Sequence, residues 1–68
     1  MRFKAELSGV DGLERPRVIY GKDVGTLKTW GREMLEALST DKRAGARITI
    51  YERQEVPIVT ILGQDVQA

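Results

Sequence analysis

The sequence predicts an α+β fold, one amphipathic helix packed on one face of a four-stranded antiparallel sheet, in the chain order β-β-α-β-β. Two patterns carry that expectation. From Asp23 to Ser39 the residues Val24, Leu27, Gly31, Met34, Leu35 and Leu38 recur at helical spacing, with Trp30 and Ala37 on the flank of the stripe. On either side of this stretch, short segments alternate apolar and polar residues, as half-buried strands do. A single helix layer on a single sheet is the simplest way to bury every apolar stripe found.

Taken in order, the first strand spans Met1 to Leu7, with Met1, Phe3, Ala5 and Leu7 turned one way and Arg2, Lys4 and Glu6 the other. Gly9, Asp11 and Gly12 then supply a reversal. Pro16 has no N–H to donate, so the second strand, Arg17 to Tyr20, suits a sheet edge. Val18 and Tyr20 share one face of it. Arg17 and Ile19 share the other, which is expected to be the face away from the helix.

Asp23 is a favoured N-cap for the helix, with Thr26 the alternative because Gly25 weakens the first turn. Gly31 costs about 1 kcal/mol relative to alanine in a helix interior, and its place in the apolar stripe points to close helix–sheet approach. Thr40 to Gly45 is polar and reads as the segment that ends the helix, with Lys42 and Arg43 placed to complement its negative C-terminal end.

Ala46 to Tyr51 alternates again, Ala46, Ile48 and Ile50 against Arg47, Thr49 and Tyr51. Val56 to Leu62 is a β-branched run interrupted by Pro57, which argues for an edge or a strand start. The tail, Gly63 to Ala68, has no pattern and is expected to fray. A right-handed crossover of the helix over the first strand gives the order 2-1-3-4, antiparallel throughout. The whole chain is expected to be one small domain, whose core gathers Leu27, Gly31, Met34 and Leu38 with Phe3, Ile48 and Ile50.

Composition narrows function by exclusion. Sixty-eight residues without cysteine or histidine leave no disulfide scaffold, zinc finger or iron–sulfur ligand set. A chain this short buries about 60% of the surface it exposes when unfolded, so its stability rests on core packing or self-association. Eleven basic and ten acidic residues give a net charge of +1, which creates no global field for polyanions. The alternating start lacks the apolar run of a signal peptide, and a cytoplasmic protein is expected.

An enzyme without histidine or cysteine needs paired carboxylates, a lysine or an unusually activated serine. The acidic residues Glu6, Asp11, Glu14, Asp23, Asp41 and Asp65 fall mostly in turns and element ends and form no recognisable pair. No catalysis, cofactor or metal is expected. Gly21 to Thr26 lacks the spacing of a phosphate loop, and Asp23 disfavours an anion there.

Two binding surfaces remain. In the last strand Ile58, Val59, Ile61 and Leu62 cannot all face the helix, since neighbours in a strand point to opposite sides. With Val59 and Ile61 inward, Ile58, Thr60 and Leu62 join Ile19 and Tyr51 on the open face, an apolar strip suited to a homodimer or another protein partner. The alternative is nucleic acid, held by Arg2, Lys4, Arg17, Arg47 and Arg53 with Tyr51 available to stack a base. The plainer account of that basic set is a solvated sheet face, which needs polar residues in any case.

Overall fold

The computed structural model describes residues 2–12, 14–53 and 55–66. The chain runs β1 (Phe3–Ser8), β2 (Arg17–Gly21), α1 (Val24–Ala37), a short α2 (Thr40–Gly45), β3 (Arg47–Glu52) and β4 (Val56–Leu62), then a single 3-10 turn, Gly63–Asp65. The sheet is four-stranded in the order β2-β1-β3-β4, and every neighbouring pair is antiparallel. The predicted fold class and strand order are therefore the observed ones. Met1, expected to point inward, lies outside the described residues.

Strand register sorts the side chains. Directly opposed residues of an antiparallel pair point to the same side. Ile19, Ala5, Ile50 and Val59 form one cross-sheet row, and Arg17, Leu7, Ile48 and Ile61 form the next. Leu27, Gly31 and Leu35 of α1 are buried with Ala5, Leu7, Ile48 and Ile50, so these rows face the helix. Of the expected core, Leu27, Gly31, Ile48 and Ile50 are buried, while Phe3, Met34 and Leu38 pack partly buried around them.

Gly31 sets the distance between the two layers. A Cβ at this position would lie 2.8 Å from Ile48 Cγ2 and 3.2 Å from Cγ1. Ile48 is fully buried and β-branched, so it has little freedom to yield. The helix rests on the sheet at a spacing that glycine permits and alanine does not.

The polar segment expected simply to end the helix forms α2 instead. Leu38 closes α1 through its N–H to the Leu35 carbonyl at 3.2 Å, and Ser39 then caps α2 by accepting from the Lys42 N–H at 3.5 Å. Arg43 turns back onto α1. Its Nε donates to the Leu35 carbonyl at 2.9 Å, and Nη2 donates to those of Glu36 at 3.0 Å and Leu38 at 2.9 Å. One guanidinium thus donates to three carbonyls at the helix end, two of them besides the Leu35 carbonyl that Leu38 already reaches, at the negative pole of the helix dipole.

The tail also departs from expectation over residues 63–66. The Gly63 N–H donates to the Ala46 carbonyl at 2.8 Å, and a Cβ on Gly63 would fall on the carbonyl oxygen of Arg43. That close backbone contact, open only to glycine, turns the chain back so that Val66 enters the core. The part of the expected fray at 67–68 lies outside the described residues.

Two substitutions test this packing. Gly31→Leu is expected to lose about 1–3 kcal/mol by overpacking, despite a helix-propensity gain of about 1 kcal/mol. A denaturant midpoint at or above the parent's would show that the helix stands clear of Ile48. Arg43→Lys, which keeps the charge but not the fork, is expected to lose about 1–2 kcal/mol, and Arg43→Ala at least as much. Equal stability of Arg43→Lys and the parent in the same melts would make the three carbonyl contacts incidental.

Candidate functional site

The face of the sheet opposite α1 is the candidate surface, and register lays it out in three rows. The first holds Tyr20, Lys4, Tyr51 and Pro57, the second Val18, Glu6, Thr49 and Thr60, and the third Ser8, Arg47 and Leu62. Lys4 lies between two tyrosines, with Nζ 4.6 Å from the centroid of the Tyr51 ring. That places the cation over the π face, a contact that contributes about 0.5–1 kcal/mol where water has access.

Five large apolar side chains stand out in solvent at the two edge strands, one of them Val56, 57% exposed at the start of β4. Val18 is 38% exposed and Tyr20 50% on β2, and Ile58 is 42% and Leu62 39% on β4. Ile58 sits where the β3–β4 register shifts between Ile50 and Tyr51, so it is an extra residue without a partner on β3. Thr60 and Leu62 lie on the open face as expected, and so does Tyr51.

Ile19 and Arg17 do not. Both were expected on the open face, and both lie in the rows that face α1. The reason is Gly21, two and four residues further along the same strand. Its absent side chain makes room for Leu27, whose Cδ2 would stand 3.1 Å from a Cβ there. Once Gly21 faces the helix, alternation turns Ile19 and Arg17 the same way and sends Val18 and Tyr20 outward. Those two were the residues that sequence reasoning missed, and the position of Gly21 was the signal for them.

The five basic residues grouped as a nucleic-acid surface are dispersed. Lys4 and Arg47 are on the open face, with Glu6 in the row between them. Arg17 is on the helix side at the β2 edge. Arg2 precedes β1, and its Nη2 lies 3.4 Å from Glu52 Oε1, with the guanidinium 5.5 Å from the Phe3 ring centroid. Arg53 occupies the β3–β4 turn with φ 53°, a left-handed turn conformation, and its N–H donates to the Arg2 carbonyl at 2.8 Å. The open face itself is close to neutral.

The helix entrance is taken by its own cap. Asp23 Oδ2 accepts from the Thr26 N–H at 3.0 Å and from Thr26 Oγ1 at 3.1 Å. The Thr26 backbone N–H, then its hydroxyl, hold the Asp23 carboxyl below its ordinary value of 3.8. Among the described residues no group of three or more acidic side chains is placed to hold a metal ion, and no helix is long and apolar enough to cross a membrane.

No family model, curated protein or solved structure matches the chain.

The capping bond makes a pH prediction with a definite sign. A carboxyl with a depressed folded pKa contributes its full stability above pH 3.8 and loses it as pH falls through the folded value. Asp23→Asn keeps a capping acceptor but no charge, so its stability relative to the parent is expected to improve as pH drops below 3.8. A difference between the two that stays constant through this acid range would remove Asp23 as a source of acid sensitivity.

Proposed function

We propose that the chain is a non-enzymatic binding or assembly module that acts as a homodimer through its open sheet face and the edge strands that border it. The observation carrying this reading is the exposed apolar set on the two edge strands, Val18 and Tyr20 at one margin and Ile58 and Leu62 at the other. A sheet face that only meets water is expected to be polar, and apolar residues gathered on strands with free edges mark association sites. The interior of the face supports the same reading. Glu6 accompanies the two cations Lys4 and Arg47, so these three residues carry a net charge of +1, a small charge for binding phosphates.

The experiment is sedimentation over a range of protein and salt concentrations, together with retention on a polyanion at low salt. The parent is expected to exceed monomer mass at high concentration. Glu in place of Tyr20 or of Leu62 is expected to return it to monomer at one margin at least. Arg47→Ala should leave the mass unchanged. Salt-sensitive polyanion retention that Arg47→Ala weakens, with a parent that stays monomeric, would favour a nucleic-acid-binding module instead.

A further inference from the structure

Among the described residues the sheet has two free edges, and they differ in their capacity to pair. β4 carries Pro57, which has no N–H, a register shift that leaves Ile58 unpaired, and an immediate exit into the Gly63 turn tied to Ala46. Proline and bulges are devices that blunt an edge against further strands. β2 has none of them within its bounds. Its five residues, Arg17–Gly21, pair with β1 in unbroken register, and Pro16 lies just outside.

We infer that β2 is the edge at which the chain meets a second copy of itself, pairing antiparallel about a two-fold axis at Ile19 to form one continuous eight-stranded sheet. This rests on the homodimer reading above and names the contact within it. The register follows from symmetry. A two-fold axis perpendicular to the sheet keeps both helices on one side, so a residue facing the helix must meet another that does the same. Axes at Val18, Ile19 or Tyr20 all satisfy that condition. Only the one at Ile19 pairs all five residues of the strand.

In that register Ile19 meets Ile19 of the second copy on the helix side, and Arg17 meets its Gly21, which has no side chain to obstruct a long one. On the open side Val18 meets Tyr20 of the second copy, twice by symmetry, a β-branched residue against an aromatic ring. The two residues exposed by the position of Gly21 thus become the centre of the joined face. Leu62 and Ile58 lie at its far margins, free for a further partner.

The chain has no cysteine of its own, which makes disulfide trapping a clean test. Val18→Cys and Tyr20→Cys are each prepared alone, and as a mixture unfolded and refolded together, then oxidised gently. Both positions are solvent-exposed, so the fold is expected to survive. The mixture should give a covalent dimer several-fold faster than either variant alone, because residue 18 opposes residue 20 and neither opposes itself. Leu62→Glu should remain dimeric in sedimentation, and Tyr20→Glu should become monomeric. A dimeric parent whose mixture links no faster than the single variants overturns the β2 contact and leaves the homodimer reading standing. So does a Leu62→Glu protein that is monomeric while Tyr20→Glu is not. A parent that is monomeric throughout overturns both.

Discussion

The contact between Gly31 and Ile48 is the constraint on which the remaining architecture depends. A helix carrying a side chain at that point would ride higher, and Leu27 and Leu35, one turn to either side, would no longer reach the sheet. With so few residues available, the core has no second layer to take up such a shift. Ala5 and Ala46 serve the same geometry, since both are small and buried in the core around the helix. The cost of glycine within a helix is offset by the dispersion contacts that close approach permits.

Much of this was legible in the sequence because it is written in periodicity. The helix stripe and the four strands obey spacings of 3.6 and 2, and those spacings are properties of the backbone. The place of the helix, the inward placement of Val59 and Ile61 and the role of Gly31 followed from them. What escaped was whatever depends on a residue's partner in space. β2 is apolar on both faces, with Ile19 on one and Val18 and Tyr20 on the other, so alternation alone could not orient it. The decision belonged to Gly21 and Leu27 together, and neither announces the other.

The turn after α1 was missed for a related reason. Thr40 to Gly45 has no apolar stripe, and a helix without one has no sequence period to reveal it. It exists because Ser39 caps one end and Arg43 ties it to the carbonyls of α1. In the same way the residues from Gly63 to Val66 look patternless, yet a glycine contact with the backbone of Arg43 turns the chain so that one valine is delivered to the core. Both features are backbone agreements between distant segments, and composition does not record them. The candidate surface shares that limit. Which side chains were apolar was plain, but which of them reached solvent was decided by register.

The strand order has a kinetic meaning as well as an architectural one. Within each half of the chain the strands are joined locally, β1 to β2 and β3 to β4, and such hairpins close on a timescale of about 1–10 μs. The centre of the sheet is different, because Ala5 must find Ile50 across most of the sequence. Loop-closure entropy grows slowly with length, by about 0.6 kcal/mol per doubling, but it is lost before the long-range contact returns anything. The helix occupies that interval and shortens it, since fourteen residues wound into α1 span about 21 Å and carry the chain from the end of β2 back along the sheet toward the start of β3. The β1–β3 seam is therefore the long-range contact of the sheet, and α1 spans the interval that this contact has to close.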